Sequence, residues 1–251
     1  MLTQERKAYL LDVLQREKRV VAKTVSRKLG LSEDTIRRDL RELAAEGLLQ
    51  RVHGGALPAS PAMGDFTQRT QVAPDSKAAI GRRAALMVRS GQVVFLDGGT
   101  TAVQVARHLP ADLRATVVTH SPSVAVELAK HPCVAVEIIG GRLFKHSVVA
   151  MGASATTAIT GIRADMFFLG VTGVHPEAGL TTGDAEEAAL KRLLISQAAE
   201  TIVLASQEKL GAASPFLVAP IQAADTLVVE SDVPDAVVEP YRRLGLTIVT
   251  A

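Results

Sequence analysis

The stretch LSEDTIRRDLRELAAEGLLQRVHGGA, residues 31–56, decides how the first part of this chain folds. Ser32 suits a helix N-cap, because its hydroxyl can accept a bond from a free N–H of the first turn. Glu33 and Asp34 then complement the positive end of the helix. At about 100° per residue, Ile36, Leu40 and Leu43 share one face, while Asp34, Arg38 and Arg41 lie roughly opposite. One face is built to pack and the other is left free. Gly47 supplies a C-terminal stop, residues 48–52 read as a short strand, and Gly54-Gly55 as its turn. A capped helix followed by a strand and turn is the outline of a winged helix.

Working outward, residues 3–16 carry Ala8, Leu10, Leu11 and Leu14 at helical spacing, and residues 22–29 give a shorter helix stopped by Gly30. Two helices joined by the turn Gly30-Leu31-Ser32 form the helix-turn-helix pattern, in which the second helix enters the major groove of DNA. Arg37, Arg38 and Arg41 then face the groove. The alternative is a solvated helix in a small three-helix bundle. Charge favours the DNA reading. Residues 1–56 hold 12 Lys or Arg against 8 Asp or Glu, a net of +4, and the remainder holds 16 against 18, a net of −2. The whole-chain value of +2 hides a basic small domain joined to a mildly acidic larger one.

The chain has 251 residues, 47% hydrophobic and 22% charged, an ordinary composition for a globular protein of one or two domains. Its apolar runs are too short to cross a bilayer, and MLTQERKAYL lacks the apolar centre of a signal peptide, so a cytoplasmic location is expected. The single cysteine, Cys133, excludes an intramolecular disulfide and reads as a small packed residue. The six histidines show no HExxH spacing and have no CxxC companion, so no metal is expected.

Pro58, Pro61, Gly64 and Pro74 interrupt any period between the two parts and mark a linker. This divides the chain into a DNA-binding domain at 1–56, a linker at 57–73 and a larger domain at 74–251. Beyond the linker, helices at 77–89, 101–108, 124–129 and 185–198 alternate with short apolar strands. The strands fall at 93–96, 115–118, 134–139, 167–170, 201–204, 226–229 and 247–249. The alternation predicts an α/β fold with a mainly parallel sheet.

Open parallel sheets place ligands at the carboxyl ends of their strands. After the strand at 93–96 comes Asp97-Gly98-Gly99-Thr100-Thr101, leading straight into a helix. Glycines permit close backbone approach, and the helix start and threonine hydroxyls supply donors, which together suit a phosphate. Thr119-His120-Ser121 follows the next strand, Gly140-Gly141 the one after, and Gly170 the fourth, with Gly173 close behind. Four such loops on one sheet edge point to a small anionic ligand. Glu186 precedes Leu190 by four and Leu193 by seven, placing it on the apolar face of its helix, with Glu187 turned outward to Lys191. Glu186 is then either a carboxylate for sugar hydroxyls or a complement to the helix dipole. Lys209 is either a phosphate cation or a solvated loop lysine.

TIRRDL with GLLQRVHGGA, then FLDGGTT, VVTHS, IIGG, DMFFLGVTG and LKR with VLAS..EKLG, resembles the DeoR family of bacterial transcriptional regulators along nearly the whole chain. The resemblance implies a winged helix-turn-helix joined to an effector domain similar to ribose-5-phosphate isomerase, repressing a sugar-catabolic operon until a phosphorylated sugar binds. It implies DNA contacts from Ser32, Asp34, Thr35, Arg37, Arg38 and Arg41, and from Arg51, His53 and Gly54 in the wing. It implies a ligand site at Asp97, Gly98, Gly99, Thr100, Thr101, Thr119, His120, Ser121, Gly140, Gly141 and Lys209. Two positions depart from the family pattern, His120 in place of Asn and Ser206 in place of Asp. Both lie on the expected ligand loops.

The expected partners are operator DNA, a sugar phosphate and, since paired half-sites are read by paired modules, a second copy of the chain. No cofactor is expected. The rival class is a sugar-phosphate isomerase with an appended helical domain, for which Asp97, Asp165, Asp184 and Glu186 would be available carboxylates. The sequence contains no DGADE-type cluster, and the helix-turn-helix would then be unexplained. A constitutive architectural DNA-binding protein would have no use for the α/β domain.

Overall fold

The structure, a computed structural model, describes Leu2–Ala251. The N-terminal module contains α1 (Thr3–Glu17), β1 (Val20–Val21), α2 (Ala22–Leu29), α3 (Glu33–Ala45), β2 (Gln50–Val52) and β3 (Gly55–Leu57). Its core joins Leu10 and Leu14 of α1 and Val25 of α2 to Ile36, Leu40 and Leu43 of α3, closed by Leu49 and Ala56. Ser32 caps α3, its Oγ accepting from the Thr35 N–H at 3.2 Å. The three strands form one antiparallel sheet in the order β1-β3-β2. Val52 pairs with Gly55, so the turn is His53-Gly54, one residue earlier than the sequence pattern placed it. Gly54 takes φ +80°, and a Cβ on Gly55 would sit 1.7 Å from the Val20 carbonyl oxygen. The wing therefore closes only with glycine at both positions.

Asp39 is fully buried beside Arg6, whose Nε and terminal nitrogen both bond its carboxylate, the latter at 2.9 Å. Asp39 lies three residues after Ile36 and four before Leu43, so the helical period carries it onto the packed face. The basic look of RRDLRE concealed an internal ion pair.

A seven-stranded parallel sheet forms the second part, with helices on both sides. In chain order it comprises α4 (Phe66–Thr70), α5 (Pro74–Ala85), β4 (Val93–Leu96), α6 (Thr100–His108), β5 (Thr116–Thr119), α7 (Pro122–Leu128), β6 (Ala135–Ile138), β7 (Arg142–Phe144) and β8 (Val149–Met151). Then follow α8 (Ala153–Thr160), β9 (Ala164–Gly170), β10 (Gly173–His175), β11 (Gly179–Thr182), α9 (Ala185–Ser196), β12 (Ala198–Leu204), β13 (Phe216–Ala219), β14 (Thr226–Val229), α10 (Asp235–Arg243) and β15 (Thr247–Thr250). The main sheet runs β6-β5-β4-β9-β12-β14-β15, every pair parallel. The chain starts at β4, builds outward to β6, then returns to the other side of β4 with β9.

Alternation along the strands feeds two cores. Phe95, Phe167, Leu169, Val203 and Leu227 pack on one face with Ile159 of α8, Leu194 of α9 and Tyr241 of α10. Val94, Leu96, Phe168, Ile202 and Leu204 pack on the other with Ile80 of α5, Val105 of α6 and Val124 of α7. Both faces are apolar, which is why these strands read as continuous apolar runs. The hairpin β7-β8 and the antiparallel sheet β10-β11-β13 were not expected from sequence. Their strands are three or four residues long, too short to show a period.

Residues 57–73 do not hang free. The Pro58 carbonyl accepts from the Ala213 N–H at 3.1 Å, the Ser60 N–H donates to the Ala213 carbonyl at 3.2 Å, and Ser60 Oγ donates to the Thr172 carbonyl. A 3-10 turn at Pro61–Met63 leads to α4, whose N-cap Asp65 accepts from Gln68 N–H at 2.8 Å. The Phe66 N–H reaches the His146 carbonyl at 2.8 Å. The segment is a strap laid across the α/β part. Its prolines end regular structure without freeing the chain.

Candidate effector cleft and DNA-reading face

The order of the parallel sheet leaves a crevice between the carboxyl ends of β4 and β9, where consecutive connections leave in opposite directions. Asp97, the first residue after β4, is 1% exposed and binds the two strand ends together. Its Oδ1 accepts from the Gly98 N–H and its Oδ2 from the Gly170 N–H, both at 2.8 Å. Lys191 of α9 donates to the same Oδ2 and, at 2.9 Å, to the Gly170 carbonyl. Burial by itself would raise the Asp97 carboxyl, but Lys191 and His120 outweigh it and hold it well below the usual carboxylate range. Both oxygens are engaged within the protein, so Asp97 supports the site from beneath.

Above this floor opens a narrow cleft. Gly98, Gly99, Thr100 and Thr101 line it with the start of α6, and Gly170, Val171 and Thr172 with the end of β9. Gly99 stands at φ +114° as the N-cap, a conformation that leaves the first N–H groups of α6 uncovered. Four cations, Arg69, Lys77, Lys191 and Lys209, and one carboxylate, Glu187, complete the lining. Lys191 is committed to Asp97, and the Lys77 ammonium donates to the Arg69 carbonyl.

Lys209 is 6% exposed, and among the described residues its Nζ has no hydrogen-bond or ion-pair partner. Burial pushes its pKa down to about 8 against the pull of Glu208, with Lys77, Arg69 and Lys191 adding to the depression. Arg69 donates to Ser147 Oγ at 3.3 Å, while its buried Nε has no partner. An ammonium without a protein partner in the cleft and a buried guanidinium N–H left unpaired are both satisfied by an anion.

Of the residues expected to hold a ligand, the structure brings Gly98, Gly99, Thr100, Thr101 and Lys209 to this cleft. Thr119, His120 and Ser121 are buried at 1%, 3% and 0% exposure, and none lines it. Thr119 Oγ1 accepts from the Ser121 N–H at 3.1 Å, and Ser121 Oγ donates to the Val148 carbonyl at 3.3 Å. His120 Nε2 lies 3.2 Å from Asp97 Oδ1, beneath the cleft and not in it. Gly140 and Gly141 turn β6 into β7, where a Cβ on Gly141 would sit 2.5 Å from the Met151 carbonyl oxygen.

The expectation for Glu186 requires correction. Glu186 is exposed and paired with Arg142, whereas Glu187 is buried, lines the cleft and accepts from Thr182 Oγ1 at 2.7 Å. Asp184 caps α9 through the Glu187 N–H at 2.9 Å, which sets the inward face as Glu187, Leu190, Lys191 and Leu194. The Glu187–Lys191 spacing looked like a solvated surface pair, yet the two side chains lie 3.7 Å apart inside the fold. Arg69, Lys77 and Lys191 were likewise not anticipated, because a strap arginine and helix lysines give no local sign of the cleft they enter.

On the N-terminal module, Ser32, Asp34, Arg37, Arg38 and Arg41 are exposed along α3, with Thr35 partly covered, and Arg51, His53 and Gly54 are exposed in the wing. Arg37 is tied to Glu33 at 2.9 Å, while Arg38 and Arg41 have no partner among the described residues. Arg37 and Arg51 line one notch between helix and wing, so both elements present cations to the same side.

A basic winged helix-turn-helix beside a doubly wound domain with a cation-lined cleft defines a ligand-responsive transcriptional regulator. Residues 6–61 match the DeoR-like helix-turn-helix domain and residues 72–231 the DeoR C terminal sensor domain. The chain belongs to the DeoR family of DNA-binding transcriptional regulators. It is similar to the HTH-type transcriptional regulator GlpR of Haloferax volcanii, with 34% identity over 251 residues, 99% of this chain and 98% of that one. It is similar also to the HTH-type transcriptional repressor GlcR of Bacillus subtilis, with 31% identity over 232 residues, 92% and 89% of the two chains. A ribose 5-phosphate isomerase from Methanocaldococcus jannaschii aligns with 16% identity and a TM-score of 0.40 over 58% of this chain and 55% of that one, too loosely to carry any chemistry across.

Proposed function

We propose that this regulator represses a carbohydrate operon and that a phosphorylated sugar in the cleft changes its hold on operator DNA. The observation that carries this reading is Lys209, a largely buried lysine whose ammonium has no partner among the described residues and which lines the same cleft as the uncovered N–H groups at the start of α6. A phosphate seats on those N–H groups and on the Thr100 and Thr101 hydroxyls, where helix dipole and cations act together. Glu187, held by Thr182, keeps acceptor capacity for sugar hydroxyls. The similarity to the Bacillus subtilis repressor supports repression, and no helix among the described residues is long and apolar enough to cross a membrane. Acting as a homodimer or higher oligomer, two copies of α3 would read paired half-sites one helical turn or a multiple of it apart. No cofactor enters this scheme.

The test is fluorescence anisotropy of the full chain on DNA from its own upstream region, titrated with a panel of sugar monophosphates. At least one of them is expected to change operator affinity by roughly 5- to 150-fold, the range of ordinary allosteric coupling. Affinity unmoved by every phosphorylated sugar, together with no thermal shift, would overturn the effector assignment.

A further inference from the structure

We infer that the strap between the two domains is itself part of the effector site, with Arg69 a direct partner of the ligand's anionic group. This rests on the reading of the cleft as a phosphate site given above. Residues 62–71 fall between the two family matches, yet Ala62 and Arg69 from this segment line the cleft. The Arg69 Nε is buried without a partner, and its terminal nitrogen makes only long bonds, 3.3 Å to Ser147 Oγ and 3.5 Å to the His146 carbonyl. A guanidinium so placed has a free edge for a phosphate, which it meets with paired, charge-assisted bonds.

The carrier of Arg69 is suited to move. Helix α4 has five residues and buries none of them, so polar tethers hold it in place of packing. Those tethers are few: the Phe66 N–H on His146, the Arg69 bonds, and Lys77 on the Arg69 carbonyl. Lys77 lines the cleft as well, so an anion there draws on both ends of the Arg69–Lys77 link. At its other end the strap runs into β3 of the wing, and Ser60 is bonded to Thr172, another residue of the cleft wall. Occupancy is thereby felt by the segment that leads to the DNA-reading module, a coupling that depends on different contacts in the two ligand states.

The experiment is hydrogen exchange of the full chain with and without inorganic phosphate at constant ionic strength, on wild type, Arg69→Gln and Arg69→Lys. Wild type should show several-fold slower exchange both at amides 100–102 and at 66–72. In Arg69→Gln the effect at 66–72 should vanish, with Arg69→Lys, which keeps charge but loses the fork, between the two. Slowing at 100–102 alone in wild type would overturn the role of the strap while leaving the phosphate reading intact. Equal slowing at 66–72 in wild type and Arg69→Gln would remove Arg69 from the site. No slowing at either segment would overturn both readings.

Discussion

Lys209 illustrates how a single residue can favour function over stability. An unfolded lysine keeps its proton to about pH 10.5, whereas the folded chain releases it at about 8. Between those values the unfolded state binds more protons, so stability rises with pH, and below 8 the cost of the buried charge is fully present. Lys209→Met should therefore stabilise the ligand-free chain at pH 7 by on the order of 1 to 3 kcal/mol, the difference closing as pH approaches 10.5. Tyr241, pushed up to about 12 by burial, lowers stability above pH 10 in both chains and cancels in the comparison. The same substitution should abolish phosphate binding, and wild-type affinity should fall as pH rises through 8. Thermal denaturation from pH 6 to 10 checks the first claim, and an unchanged or lowered melting point at pH 7 would count against it. Sequence left Lys209 open between two roles because a loop lysine carries no local sign of its burial. Glu187 and Lys191 went unrecognised for a related reason, since opposite charges four residues apart most often mark a solvated face.

At the scale of the element, α3 places two adjacent residues with opposite duties. Arg38 is exposed and unpaired, while Asp39 is fully buried against Arg6. Arg38→Ala should leave the melting temperature near wild type and cost on the order of 1 to 3 kcal/mol at the operator if it reads a base. Asp39→Ala should strand the Arg6 guanidinium in the core and cost about 3 to 5 kcal/mol of stability in the module. Thermal melts and operator titrations of the two variants separate these effects; a stable Asp39→Ala or a DNA-neutral Arg38→Ala would reverse the assignment of faces. The helix and its free face were legible from the spacing of Ile36, Leu40 and Leu43. Asp39 was not, because a binary pattern assigns a carboxylate to solvent and has no term for a partner 33 residues away. The antiparallel strands were hidden by their length, three or four residues each.

For the whole molecule, the informative discrepancy is the strap. Its prolines and glycine interrupt the regular period after the wing, and the parallel sheet followed from the alternation beyond it. What sequence could not show is that residues 58–60 bond the Ala213 and Thr172 edge of the α/β part, because the two bonds to Ala213 use backbone groups common to most residues and the Ser60 hydroxyl carries no local sign of its partner 112 residues away. The contrast can be measured with two fragments, 58–251 and 74–251. The shorter one leaves the Thr172 carbonyl and Ala213 N–H without these partners and strips Ala62 and Arg69 from the cleft wall. Each bond so lost is worth about 0.5 to 1.5 kcal/mol net, so 74–251 should melt several degrees below 58–251 and bind inorganic phosphate more weakly. Equal melting temperatures and equal phosphate affinity would make the segment the passive linker that its prolines describe, and would leave ligand and DNA to communicate through the interface between copies of the chain.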